Sequence, residues 1–127
     1  MILSQSNFTD TEILNTPTDI INPYLSEVDE FYTDFCKGAG LTGQLIPIPF
    51  SCKRLCILFV HRRFFSDRLG IDVKEVQDGI IDHHMVKYKN AVEEYNDLYE
   101  SALQALKGGS ISDLKGGVTI RSFEFGI

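Results

Sequence analysis

The sequence predicts a mainly α protein, an antiparallel three-helix bundle with one long C-terminal helix, a Gly/Pro loop and an extended C-terminal interaction tail. Three observations carry this. From Ile81 onward the apolar and aromatic positions His84/Met85, Tyr88, Ala91/Val92, Tyr95, Leu98/Tyr99, Ala102/Leu103 and Leu106 recur in steps of three and four, the period of one helix face. Leu55-Cys56-Ile57-Leu58-Phe59-Val60 is apolar all round, as in a helix buried on most sides. Between these lie glycines and prolines of the kind that end helices.

The elements follow in order. Residues 1–19 are polar and threonine-rich with little periodicity, which predicts an extended N-terminal segment. Asn22 is placed to cap a first helix and Pro23 to open it. Its apolar face is Tyr24/Leu25, Val28, Phe31/Tyr32 and Phe35, and Gly38 ends it. Residues 38–50 read as an extended loop, because each residue before a proline avoids the helical region. Ser51 caps a second helix running to about Leu69, closed by Gly70, and residues 71–79 link it to the third. The helical domain is thus 20–107, with the third helix about 40 Å long. Residues 108–127 form a glycine hinge at Gly108-Gly109 and a β-like tail, since Val118-Thr119-Ile120-Arg121-Ser122-Phe123-Glu124-Phe125 is rich in strand formers and has no hairpin partner nearby.

Composition narrows the function. At 127 residues and 43% hydrophobic the chain suits one domain with a single core. A net charge of −6 argues against holding nucleic acid by its phosphates. The start, Met1-Ile2-Leu3 followed by polar residues, does not read as a signal peptide, and no stretch approaches the roughly 20 apolar residues of a membrane helix. Three cysteines read as reduced thiols in a cytosol.

The candidate chemistry is weak. Cys52 and Cys56 lie one helical turn apart, with Cys36 and His61 as candidate companions around zinc. Structural zinc sites use two tightly spaced ligand pairs, so these thiols read as core. His83 and His84 are adjacent and point about 100° apart on a helix, which suits packing at a boundary better than shared ligation. Gly38-Ala39-Gly40-Leu41-Thr42-Gly43 follows a helix rather than a strand, and Lys115-Gly116-Gly117 lacks the lysine placement of a phosphate loop. No serine sits in a nucleophile elbow. We expect no catalytic residues, no metal and no cofactor.

Binding surfaces are the better candidates. Tyr88, Tyr95 and Tyr99 form a row that suits either helix packing or a subunit interface. Arg62 and Arg63 suit a small basic patch or an interface pair, or stems laid over apolar surface with the heads on carboxylates. In the tail, Val118, Ile120, Arg121, Phe123 and Phe125 are the residues expected to dock on a partner by strand addition.

The order of elements, with the segment Asp82-His-His-Met-Val-Lys-Tyr-Lys-Asn-Ala-Val-Glu-Glu-Tyr-Asn-Asp-Leu98 and the tail Gly116-Gly-Val-Thr-Ile-Arg-Ser-Phe123, resembles the small helical head–tail connector proteins of tailed bacteriophages. The likeness covers roughly residues 20–125. It departs in the polar start, the histidine pair and the Gly38–Pro49 loop. The resemblance implies a non-enzymatic virion protein of the neck, at the head–tail junction, made in the bacterial host cytoplasm. Its partners would be the portal protein, neighbouring copies of itself in a ring (a dodecamer in such families) and the next neck or tail-completion protein. DNA would only pass through, without specific binding, and no membrane is involved. The alternatives are a tail-completion or stopper protein lower in the neck, or a non-viral cytosolic helical protein-interaction module.

Overall fold

The computed structural model describes residues 1–75 and 78–112, with side chains over 1–70 and 83–108. Its elements are a 3-10 turn at Gln5–Asn7 and four helices, α1 (Thr11–Leu14), α2 (Thr18–Gly38), α3 (Phe50–Glu75) and α4 (Asp78–Ser112). The described residues are mainly α and contain no strand.

α2, α3 and α4 are the three expected helices, and cross-contacts fix their directions. Tyr24 meets Phe64 while Phe31 meets Phe59, so α2 and α3 run antiparallel. Phe65 meets His84 while the Cys52 thiol donates to the Ala102 carbonyl at 3.3 Å, so α3 and α4 also run antiparallel. α3 is the middle helix, and this is why the apolar residues of its centre have no solvent side. Leu55, Cys56, Leu58, Val60, Phe64 and Phe65 are buried, and Ile57 and Phe59 are partly so. Burying a residue of this size contributes about 1.5–3 kcal/mol each before entropy is counted.

Several boundaries differ from the sequence reading, each for a physical reason. α2 begins at Thr18, not at Pro23, which lies inside it. The gain is Ile21, fully buried and one turn ahead of Leu25, and that burial outweighs the hydrogen bond the proline cannot make. Its first turn opens on the Pro17 carbonyl, which accepts from the backbone N–H groups of Ile20 and Ile21. α3 passes through Gly70 to Glu75, and α4 passes through Gly108-Gly109 to Ser112, so the hinge expected at 108 lies within a helix. A helical glycine costs only about 1 kcal/mol and ends a helix when it turns left-handed. Among the described residues Gly40 alone does so, at φ +96°. There the backbone N–H of Gly40 donates to Lys37 and that of Leu41 to Cys36, which closes α2.

The N-terminal segment is not extended. Asp10 caps α1, its Oδ1 accepting from the backbone N–H groups of Glu12 and Ile13 at 3.0 and 3.1 Å. The Gln5 amide donates to the carbonyls of Ile13, Leu14 and Thr16, tying the turn to the helix. Leu3, Phe8 and Ile13 are buried in the common core. Residues 1–16 are therefore part of the folded unit, and the boundary expected at residue 19 cuts through its core.

The Gly/Pro loop lies along α2. The Tyr32 hydroxyl donates to the Leu45 carbonyl at 2.7 Å, and the Gln44 amide donates to Thr33 Oγ1 at 3.1 Å.

Candidate functional site

The tyrosine row of α4 faces α2 and α3. Tyr88, Tyr95 and Leu98 pack against the core, and Tyr95 sits 6.2 Å from Phe31 and 5.9 Å from Tyr99, ring to ring. Tyr99 stands edge-on to Phe35 at 5.2 Å and keeps 40% of its surface exposed. Within one chain the row is thus a packing face whose outer edge reaches solvent at Tyr99. Burial raises the Tyr95 hydroxyl above its ordinary pKa, with the nearby Arg62 guanidinium opposing.

Arg62 and Arg63 diverge. Arg62 lies over the Tyr95 ring, 4.5 Å from its centroid, on the α4 side. Arg63 turns to α2 and donates to Glu27 at 3.1 Å, with both side chains largely exposed. They do not form one basic patch. The tail candidates Val118, Ile120, Arg121, Phe123 and Phe125 lie outside the described residues.

The structure also assembles a polar cluster from residues distant in sequence. His84, 2% exposed, has Nε2 at 2.8 and 2.9 Å from the two carboxylate oxygens of Glu12. Arg68 Nε lies 3.7 Å from Glu12, and Lys87 Nζ lies 2.7 Å from Asp10 and 5.0 Å from the Phe65 ring centroid. Burial pushes the Asp10 carboxyl up, but the Lys87 hydrogen bond and charge and the Ile13 N–H outweigh it, so its pKa ends below the ordinary value. This cluster clamps α1 onto the α3–α4 pair. In the sequence the one trace of it is a histidine on an apolar stripe, because Glu12 and His84 become neighbours only through the fold. His83, by contrast, is exposed.

His61 lies beside this cluster, stacked 5.9 Å from Phe8 and edge-on to Phe65 at 5.9 Å. Burial lowers its pKa, with the attraction of Asp10 only partly opposing. Cys36, Cys52 and Cys56 are free and buried. Burial pushes the Cys52 thiol up to about 11 and the Cys56 thiol up to about 12, so both are held as poor nucleophiles. Among the described residues no group of three or more His, Cys, Asp or Glu is arranged to hold a metal ion. No helix there is long and apolar enough to cross a membrane.

The surface offers exposed apolar side chains instead. Phe50, at the first turn of α3, is 85% exposed and Ile46 in the loop is 64% exposed. Phe50 walls a shallow groove with Leu98, Asp97 and the Arg54–Glu94 ion pair. That pair is two-pronged, Arg54 donating to both Glu94 oxygens at 2.8 and 2.9 Å, which keeps the Glu94 carboxyl below its ordinary pKa.

The chain matches no protein-family model, no curated protein and no solved structure.

Proposed function

We propose that this chain is a subunit of the head–tail connector ring of a tailed bacteriophage, docking beneath the portal and joining it to the next neck component, with DNA passing through the ring. The observation that carries this reading is the 35-residue α4, about 50 Å of helix. It bears the Asp82–Leu98 pattern of such connectors, has its inner face filled by α3 and α2, and leads into the strand-forming segment Val118–Phe125. α4 acts as the strut and Val118, Ile120, Arg121, Phe123 and Phe125 as the docking segment, adding a strand to a partner through main-chain hydrogen bonds. Neighbouring copies meet head to tail, one face against a different face, with Tyr99 and the exposed Arg63 at the edges available to such contacts. The net charge of −6 supports the reading, since an acidic wall does not grip the phosphates of passing DNA.

The test is native mass spectrometry of the protein mixed with a portal ring encoded beside its gene. The expected result is about twelve copies bound per ring of that symmetry. Removal of Gly116–Ile127 leaves the fold intact and abolishes this binding. A stable monomer or dimer that binds no portal overturns the reading in favour of a cytosolic interaction module.

A further inference from the structure

Two exposed features at opposite ends of α3 complement each other. At the first turn Phe50 is 85% exposed, more than any other large apolar side chain among the described residues, and Ile46 in the loop before it is 64% exposed. Lys53 lies three residues on and is a neighbour of Phe50 on the helix surface. Arg54 is occupied by both oxygens of Glu94, whereas Lys53 has no ion pair among the described residues. This end is therefore an aromatic knob beside a spare cation.

Toward the other end, α2 and α3 border a groove made of two adjoining clefts of about 660 and 420 Å³, which share Ile20, Tyr24 and Asp67. Its walls are apolar at Pro17, Ile20, Pro23 and Tyr24, and Ile20 is 51% exposed. Its arginines are taken up by other carboxylates, Arg63 by Glu27 at 3.1 Å and Arg68 by Glu12 at 3.7 Å. Glu30 and Asp67 are left with no ion pair among the described residues. The Tyr24 hydroxyl donates to Asp67 at 2.6 Å, which holds that carboxylate where the two clefts join. The groove thus offers apolar walls and spare negative charge to a knob with spare positive charge. One molecule cannot join the two itself, because Phe50 and Asp67 are about 26 Å apart along one helix.

We propose that Phe50 and Lys53 of one copy dock in the Ile20–Tyr24–Asp67 groove of the next copy, with Phe50 on Ile20 and the Tyr24 ring and Lys53 on Asp67. The two patches differ, so each copy keeps one free knob and one free groove, and the contact repeats head to tail. Apolar burial supplies the attraction, while the exposed ion pair adds little strength and fixes which way round the copies meet. The pairing deepens the head-to-tail reading of neighbouring copies and rests on it, but not on the portal, whose binding is tested separately.

The test is sedimentation velocity of the full-length protein without portal, up to about 1 mM, a range that detects weak contacts. The wild type is compared with Phe50→Ser, which removes the knob, and Ile20→Lys, which blocks the groove and repels Lys53. Both positions are exposed, and circular dichroism checks that helical content is unchanged. We expect the wild-type mass to rise with concentration to at least about twice the 14.3 kDa of one chain, and each variant alone to stay at one chain. An equal mixture of the two variants should stop at a dimer, because the intact knob of one meets the intact groove of the other and no further contact is left. A wild type that stays monomeric overturns the proposal, as does association that either substitution leaves unchanged. A mixture that stays monomeric although the wild type associates also overturns it, since the contact then pairs like faces. Self-association that follows the expected pattern without portal binding upholds the pairing and removes only the portal.

Discussion

Lys87 of α4 and Asp10 of the N-terminal segment meet with 2.7 Å between Nζ and Oδ2, their side chains 24% and 12% exposed. Asp10 has two tasks there, since its other oxygen caps α1. One carboxylate thus joins the start of a short helix to the long helix at the far side of the bundle.

Removing that carboxylate has a definite cost. Asp10→Ala is expected to destabilise the protein by about 2 kcal/mol, combining the lost cap with the loss of the nearest carboxylate to Lys87, whose ammonium keeps only Glu12 at 4.0 Å. In a double-mutant cycle with Lys87→Met, urea denaturation should give a coupling of about 1 kcal/mol. Additive single effects would mean the two groups do not interact. The acid dependence has a fixed sign. The folded carboxyl lies below its ordinary value near 3.8, so its contribution is complete above that pH and is lost as the pH falls through the lower folded value.

His61 acts in a different window and with the opposite proton preference. Its folded pKa lies below 6.5, so its neutral form fits the core. Above 6.5 neither folded nor unfolded chain carries the proton. As the pH falls below 6.5 the unfolded chain takes it first, and the folded state loses ground. The wild type should therefore lose more stability than His61→Phe between pH 7 and 5.5, by less than about 1.4 kcal/mol per pH unit for one proton. Equal losses in both proteins would show that His61 is not the responsible group.

The three cysteines should be silent in the native state. At pH 8, labelling with an aromatic disulfide reagent is expected to be slow before denaturation and to reach all three thiols after it, because Cys52 and Cys56 are pushed up to about 11 and 12. Rapid native labelling would contradict their burial.

The start of α2 makes a paired prediction. Ile21→Ala should cost about 2–4 kcal/mol, as expected for a fully buried isoleucine. Pro23→Ala should stabilise by about 1 kcal/mol by restoring a hydrogen bond within the helix. Were Pro23 the first helical residue, its replacement would bring no gain; thermal unfolding of the two variants separates the cases.

The helical class was readable in the sequence because Tyr88, Tyr95, Leu98, Ala102 and Leu106 repeat at helical spacing, and because the all-apolar centre of α3 demanded cover on every side. The N-terminal segment was not readable: Leu3, Phe8 and Ile13 are five residues apart, a spacing with no single period, and each is buried through its own turn. Gly70 and Gly108 misled for a related reason. A glycine marks a helix end when the backbone needs a left-handed residue, and packing along the α3–α4 pair decides that need. Beyond the place of His84 on an apolar stripe, the clamp of Asp10, Glu12, Arg68, His84 and Lys87 leaves no mark in the sequence, because its charges converge only after α4 lies against α3. Arg62 and Arg63 looked like a pair in sequence, yet one helical step of about 100° sends them to different helices.

The clamp also bears on the order of events during synthesis. Phe8 and Ile13 emerge well before the helices that cover them, and Glu12 meets His84 only once α4 has been made. The neighbouring helices α2, α3 and α4 meet across short connections and can associate early, whereas contacts spanning most of the chain are slow to form. The segment made first is therefore completed only once the last helix has been made, and until then the partners of Glu12 on α4 are missing and its side of the core stands open to other molecules in the cell.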